Sequence, residues 1–133
     1  MQRSIATVSL SGTLPEKLEA IAAAGFDGVE IFENDLLYYD GSPRNVRQMC
    51  ADLGIAITLF QPFRDFEGCR RDRLQRNIDR AERKFDLMHE LGTDLVLLCS
   101  NTASDSVGDE RILLDDLALL AERAGARDLR IGY

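Results

Sequence analysis

The sequence predicts an α/β fold: about four and a half strand-and-helix units of a (β/α)8 TIM barrel, with parallel strands and with helices on the convex side. Two observations lead to this prediction. Short apolar segments alternate with longer amphipathic segments along the whole chain, and a glycine follows each predicted helix just before the next apolar segment. Strands that alternate with helices form a parallel sheet, because parallel neighbours need a long connection that a helix supplies.

The glycines divide the chain into its units. They are Gly25, Gly54, Gly92 and Gly125. Glycine suits the position just past a helix end because, without a Cβ atom, it adopts the left-handed conformation cheaply. The predicted strands cover residues 5–10, 26–32, 55–60, 94–99 and 129–131. A complete barrel has ~250 residues, so residues 1–133 are interpreted as the amino-terminal half of one barrel domain, truncated in the fifth strand.

The helices are predicted from their first turns and from their apolar stripes. The first begins near Thr13, with Pro15 in the first turn and Glu16 completing a capping box, and the second begins at Ser42 and Pro43. The third is the longest and covers residues 69–91. Each stripe recurs at helical spacing and is flanked by charge. The stripes are Leu14, Leu18, Ile21 and Ala22; Val46, Met49, Cys50 and Leu53; Leu74, Ile78, Ala81, Phe85 and Met88; and Leu113, Leu117, Leu120 and Ala124.

Composition and charge limit the class of protein. The chain has 133 residues, of which 45% are hydrophobic, and a formal net charge of -7 from 23 acidic and 16 basic side chains. That balance disfavours a nucleic-acid partner. No apolar run approaches the ~20 residues of a membrane span, and no signal-peptide pattern precedes the first strand. The three cysteines fall in no CxxC spacing, so we expect reduced thiols and a cytoplasmic enzyme.

The period-two alternation of strands predicts which side chains face the barrel interior. In the second strand Val29 and Ile31 are expected under the helices, which leaves Gly28, Glu30 and Phe32 facing the interior. The same rule places Ala6, Val8, Leu10, Ile55, Ile57 and Leu59 under the helices, and Thr7, Ser9, Ala56, Thr58 and Phe60 in the interior. A carboxylate in a barrel core indicates a site, so Glu30 is a candidate. The alternative is that Glu30 lies at the solvated rim or pairs with an arginine.

The segments after the predicted strands are long and polar, and barrel enzymes keep their sites on that face. These segments cover residues 33–40, 61–68 and 100–102. Among their residues Arg64 lies between two phenylalanines, where a guanidinium is held in place and can bind a substrate carboxylate through two parallel hydrogen bonds. The alternative for Arg64 is an ion pair with Asp65, Glu67 or Glu33.

Other chemical signals are weak. No phosphate loop, nucleotide fingerprint, Ser-His-Asp set or metal-ligand spacing is present. The only histidine, His89, falls in the last turns of the third helix, and a helix-end position explains it. The charged runs at residues 70–73 and 80–84 are predicted to form the solvated side of a helix with internal ion pairs.

Two segments carry a resemblance to a known family. Residues 23–31 read AAGFDGVEI, and residues 60–68 read FQPFRDFEG. With them the chain resembles the sugar phosphate isomerase/epimerase family of xylose-isomerase-like barrels. The first segment is common to many members and the second is more discriminating. The resemblance covers essentially all 133 residues.

The resemblance implies a metal-dependent lyase that removes water from 3-dehydroshikimate and forms protocatechuate, in quinate and shikimate breakdown. The family's metal-binding carboxylates follow the fifth to eighth strands. It therefore implies a divalent cation, Mg, Mn or Co, in the full-length parent, and it implies that these residues alone bind none and are inactive. In similar proteins the barrel is often fused to a carboxy-terminal domain that resembles 4-hydroxyphenylpyruvate dioxygenase.

The expected partner is a small-molecule carboxylate, and neither a nucleic acid nor a membrane. The predicted substrate contacts are Arg64 and Gln61, followed by Glu30, Glu33, Tyr38 and Tyr39. Two alternatives remain open. One is another enzyme of the same barrel family, such as a sugar phosphate isomerase, an epimerase or an inosose dehydratase. The other is a non-catalytic half barrel that forms a homo-oligomer through its open edges.

Overall fold

A computed structural model describes residues 1–133 and contains one five-stranded sheet in which every neighbouring pair is parallel. The strands lie in chain order across the sheet. They are β1 (Ser4–Ala6), β2 (Gly28–Phe32), β3 (Ala56–Phe63), β4 (Leu95–Leu98) and β5 (Arg130–Gly132). The predicted parallel order is confirmed, and it belongs to part of a (β/α)8 barrel.

Five α-helices connect the strands. They are α1 (Leu14–Ala23), α2 (Glu33–Leu37), α3 (Pro43–Asp52), α4 (Leu74–Leu91) and α5 (Glu110–Gly125). The short α2 lies in a segment that the sequence predicts as loop, and two 3-10 turns cover Thr7–Ser9 and Arg71–Arg73. None of the helices combines the length and the apolar character that a membrane span requires.

The predicted helix ends are confirmed at most positions. In α1 the Thr13 backbone N–H and hydroxyl both donate to Glu16 Oε2, at 2.8 and 2.9 Å. In α3 the Ser42 hydroxyl accepts from the Asn45 backbone N–H at 3.2 Å. The glycines after α1, α3 and α4 all have positive φ angles, but Gly125 lies inside α5, and Asp128 adopts the left-handed conformation there with φ 57°.

One hydrophobic core lies between the helices and one face of the sheet. The predicted stripe of α4 is buried from Ile78 to Met88, and Leu74 is partly buried. The four largest fully buried side chains of the core are phenylalanines. They are Phe60, Phe63, Phe66 and Phe85. Each such side chain stabilises the fold by roughly 1.5–3 kcal/mol relative to exposure. The opposite face of the sheet, which we call the open face, carries four half-buried side chains, those of Glu30, Phe32, Leu59 and Gln61.

A β-bulge in β3 reverses part of the predicted alternation. Val29 pairs with Ile57, but Glu30 pairs with Leu59, so Thr58 is an extra residue in β3. Phe60 therefore lies under the helices and is fully buried, while Leu59 shares the face of Glu30. The predictions for Leu59 and Phe60 are wrong because one inserted residue moves every later side chain to the other face.

Two strand boundaries also differ from the predicted ones. β1 ends at Ala6, so Val8 is exposed instead of lying under a helix. Thr7 is buried in the 3-10 turn, where its hydroxyl accepts a hydrogen bond from the Phe32 backbone N–H at 3.0 Å. β3 continues to Phe63, so Gln61 is a strand residue and not a loop residue. The longer strand fixes the Gln61 backbone next to β2.

Candidate functional site

Glu30 and Gln61 form a polar pair on the open face of the sheet. Gln61 of β3 pairs with Phe32 of β2, which lies two residues beyond Glu30 on the same face. The side-chain amide of Gln61 donates a hydrogen bond to Glu30 Oε2 at 2.9 Å. The other carboxylate oxygen of Glu30 and the side-chain carbonyl of Gln61 make no hydrogen bond within the chain. Two free acceptors at this position suit a ligand that carries hydroxyl groups. The structure thus brings two of the predicted site residues together.

Glu67 is a buried carboxylate that the sequence analysis did not select. It is 2% exposed and lies after β3. Its Oε1 accepts from the Asn101 backbone N–H and, at 3.4 Å, from the Tyr133 hydroxyl. Its Oε2 has no hydrogen-bond partner, and no Lys, Arg or His forms a salt bridge with it. A buried carboxylate without a cation is costly, which marks Glu67 as a candidate functional residue.

The backbone next to Glu67 is held on both sides. The Gly68 N–H donates to Asp116 Oδ2 at 2.8 Å, and the Gly68 carbonyl accepts from the Val107 N–H at 2.6 Å. A Cβ atom at Gly68 would lie 2.4 Å from Leu113 Cδ2, and φ is +63°. The same Cβ atom would lie 2.9 Å from the Val107 carbonyl oxygen, so only glycine fits here without moving the backbone before α5. One feature of the sequence could have indicated this arrangement: Asp116 is an acidic residue that falls on the buried face of α5, beside its apolar stripe.

Glu33 is engaged by a buried lysine. Lys84 of α4 forms a salt bridge with Glu33, and its ammonium lies 5.4 Å from the centroids of both the Phe60 and the Phe63 rings. Burial lowers the pKa of Lys84, while the hydrogen bond from Lys84 to Glu33 acts in the opposite direction. The Glu33 carboxylate is therefore less available to a ligand than that of Glu30.

Arg64 is exposed and forms no salt bridge. The ion pairs considered for Arg64 are therefore not formed. The flanking phenylalanines do not hold its guanidinium either, because Phe63 and Phe66 are buried and pack on each other with centroids 5.6 Å apart. Instead, the guanidinium of Arg80 lies 5.3 Å from the centre of the Phe63 ring. Substrate binding by Arg64 stays a prediction.

The two predicted tyrosines lie in a different cleft. Tyr38 and Tyr39 line a cleft of about 620 Å³ together with the first turn of α1, and neither Glu30 nor Gln61 lines it. Tyr38 is exposed, whereas the Tyr39 ring packs against the core. The structure does not bring the tyrosines together with the polar pair on the open face.

The described residues do not provide a metal site. No group of three or more His, Cys, Asp or Glu side chains lies close enough together to hold a metal ion. Glu30 and Glu67 have amide or hydroxyl neighbours instead of further ligands, and Glu33, which follows β2, pairs with Lys84. These 133 residues therefore do not fit a divalent cation by themselves.

Comparison with known proteins identifies both the fold and close relatives. The family model described as xylose isomerase-like TIM barrel matches residues 18–133. A 3-dehydroshikimate dehydratase of Pseudomonas putida is 86% identical over the whole chain, and one of Pseudomonas aeruginosa is 80% identical. In both comparisons the match covers all of this chain and 21% of the relative. The chain thus spans about a fifth of the length of the curated relatives it matches.

Solved structures extend the comparison. A xylose isomerase-like TIM barrel/4-hydroxyphenylpyruvate dioxygenase fusion protein superposes with a TM-score of 0.98 at 86% identity, over all of this chain and 21% of that protein. The IolI protein, solved with a bound zinc atom, superposes with a TM-score of 0.85 at 17% identity, over 99% of this chain and 50% of that protein. At that identity the second likeness shows the fold alone.

Proposed function

The chain belongs to the xylose isomerase-like TIM barrel family, and on this premise we propose that it is part of a hydro-lyase that converts 3-dehydroshikimate into protocatechuate. The observation that carries the proposal is the 86% identity, over every residue of the chain, to a protein of that name. The barrel fold alone does not support it, because one fold serves many reactions and activity depends on the loops and strand ends.

The proposed reaction removes one molecule of water. A proton leaves the carbon next to the ketone, and the hydroxyl group leaves the neighbouring carbon. The remaining saturated carbon of the ring then loses a proton and the ketone oxygen gains one, which yields the aromatic product. Proton removal next to a carbonyl needs a positioned base, and it needs the substrate to be held in one orientation.

Three residues of this chain are proposed to bind the substrate. Glu30 and Gln61 each keep an acceptor free on the open face, and these acceptors suit the ring hydroxyl groups. Arg64 is proposed to bind the substrate carboxylate, because it is exposed and no carboxylate of the chain pairs with it. Together these contacts are proposed to hold the ring in one orientation for the proton transfer.

We also propose that the full-length protein depends on a divalent cation; the IolI protein, which shares the fold, was solved with a bound zinc atom. Because no cluster of ligands is present here, residues outside this chain must supply the metal site. Residues 1–133 alone are therefore proposed to be inactive.

The proposal is tested with the full-length protein and 3-dehydroshikimate. Protocatechuate is measured by its ultraviolet absorbance and by chromatography, before and after chelation and again after a divalent cation is restored. We expect product that disappears with the chelator and returns with the cation. A panel of ketoses serves as the comparison, and turnover of a ketose without any protocatechuate would assign the protein to the isomerase branch of the family.

A further inference from the structure

A cleft rich in arginine lies outside the pair formed by Glu30 and Gln61. It has a volume of about 410 Å³ and lies between the first half of α4 and the segment after β4. We call it the arginine cleft, and its polar lining consists of Arg70, Arg73, Arg76, Arg80, Asn77, Asn101, Asp65 and Asp105. A concentration of guanidinium groups is unexpected in a chain with a net charge of -7.

The acidic residues near the arginine cleft neutralise only some of its arginines. Arg70 pairs with Asp72 at 2.9 Å, and Arg73 pairs with Asp105 at 3.1 Å. Neither Arg76 nor Arg80 has a carboxylate within salt-bridge distance. Arg64 lies in the adjoining cleft, which shares Asp65 and Arg80 with this one. Positive charge therefore exceeds negative charge along this side of α4.

Arg80 is held in place by groups that leave its charge uncompensated. Its guanidinium stacks over Phe63, donates to Asn77 Oδ1 at 3.0 Å and donates to the Arg64 carbonyl at 3.3 Å. Asn77 is 7% exposed and is itself fixed by a hydrogen bond to the Asp65 carbonyl. A guanidinium has five N–H donors, so several remain for a ligand. Because Arg80 is already ordered, little conformational entropy is lost when an anion binds.

The sequence at the start of α4 breaks two rules of helix stability. No acidic residue lies in the first turn, although the positive end of the helix dipole favours one there, and Arg76 occupies that turn instead. Arg76 and Arg80 are four residues apart, where like charges repel. Local rules that a protein breaks without compensation are expected at functional sites.

We propose that the arginine cleft binds a multivalent oxyanion, such as a phosphate group or a polycarboxylate, through Arg76 and Arg80. Guanidinium groups recognise both chemistries through paired hydrogen bonds. The volume is within the range of small-molecule sites. Glu30 and Gln61 do not line the cleft, and it adjoins the cleft of Arg64 through Asp65 and Arg80. The proposal rests on Arg76 and Arg80 and does not depend on the dehydratase assignment.

Calorimetric titration of the full-length protein tests the proposal. Inorganic phosphate, citrate and acetate are titrated separately at constant ionic strength, which is maintained with chloride. We expect saturable binding of phosphate or citrate, with the stronger of the two identifying the ligand class, and no saturable binding of acetate. Equal responses to all three salts, or no saturable response to any, would overturn the proposal.

Variants locate the binding. We expect Arg76→Gln combined with Arg80→Gln to weaken the binding at least tenfold. Arg44→Gln is the matched control, since Arg44 is exposed on α3 and also forms no salt bridge, and it should bind as the unmodified protein does. Arg80→Lys keeps the charge but loses the planar group, so intermediate binding is expected. Circular dichroism verifies that each variant is folded, and unchanged binding by the folded double variant would exclude the arginine cleft as the site.

Discussion

Arg71 binds Asp116 through two hydrogen bonds, of 2.9 and 2.7 Å, between the segment after β3 and helix α5. The two ends of this pair differ in environment, because the Asp116 side chain is 4% exposed and that of Arg71 is 42% exposed. Asp116 also accepts from the Gly68 N–H. The pair therefore fixes the backbone that carries Glu67, and solvent reaches it only from the arginine side.

Asp116→Ala should lower the stability of the protein. The substitution leaves the buried Gly68 N–H without an acceptor, which costs about 1–3 kcal/mol. The Arg71 guanidinium can turn to solvent, so the loss stays below that of a fully buried pair. Denaturant unfolding of the full-length protein measures the change in midpoint. Asp115→Ala removes an exposed carboxylate at the preceding position and is the control. An equal loss of stability in both variants would contradict the role assigned to Asp116.

Glu67→Gln should lower activity without lowering stability. The substitution keeps an acceptor for the Asn101 N–H and removes a buried charge that has no cation. We expect an unchanged or higher melting temperature and a fall in kcat of at least about tenfold, as is common where function requires a costly group. Glu19→Gln, at an exposed position of α1, is the control. Full activity in Glu67→Gln would show that the carboxylate has only a structural role.

Arg64→Lys and Arg64→Ala should both lower kcat/KM for 3-dehydroshikimate while the melting temperature changes little. Lysine lacks the fork of donors that binds a carboxylate, and the alanine variant should lose about 2 kcal/mol or more of binding. That loss corresponds to roughly a 30-fold change. Because Arg64 is exposed and forms no salt bridge, stability should be retained. A parallel loss of stability and activity would place the substrate carboxylate elsewhere.

Substitutions of Lys84 and of Glu33 should have different effects on the stability of the protein. The Lys84 side chain is 10% exposed, the Glu33 side chain is 30% exposed, and burial lowers the pKa of Lys84. The protonated form of Lys84 is thus less favourable in the folded than in the unfolded state, and this lowers the stability of the protein at pH 7. The loss of stability diminishes as pH rises above the folded pKa of Lys84, and it is gone above the unfolded pKa. Lys84→Met should therefore leave the unfolding midpoint at pH 7 unchanged or raise it, whereas Glu33→Ala should lower it by leaving a buried cation unpaired. The reverse order would contradict this account.

Cys50 should be the least reactive thiol of the native chain. Burial raises the pKa of the Cys50 thiol to about 11. At pH 8 the native protein should be labelled by a thiol reagent at the partly exposed Cys99 and hardly at all at Cys50, as peptide mass mapping can show. Folding favours the neutral thiol, so its contribution to stability should be complete below pH 9 and decline toward pH 11. Equal labelling of both thiols would indicate that α3 opens readily.

Much of the fold follows from features that act locally. Glycines, caps and helical stripes depend on residues within a few positions of each other, and they predict the order of the strands and of the four long helices correctly. The ends of β1 and β3 and the start of α4 differ from the predicted ones. The bulge at Thr58 depends on how β3 pairs with β2, which a single strand does not encode. Glu67 was missed because its burial results from contacts with the segments after β4 and β5, far away in sequence. To predict the hydrogen bond between Glu30 and Gln61, the register between β2 and β3 and the true end of β3 would both have to be known.

The extra residue at Thr58 means that the open face depends on the number of residues in β3 as well as on their identity. If the bulge were absent and Thr58 paired with Glu30, uninterrupted alternation would turn Phe60 outward and Gln61 inward. A phenyl ring would replace the amide beside Glu30, and an amide would enter the core. An insertion or deletion elsewhere in β3 therefore exchanges the two faces of the strand beyond it, whereas loss of the bulged residue alone leaves Gln61 on the open face. An alignment of relatives is informative about Gln61 only if a gap in β3 is placed at the bulge.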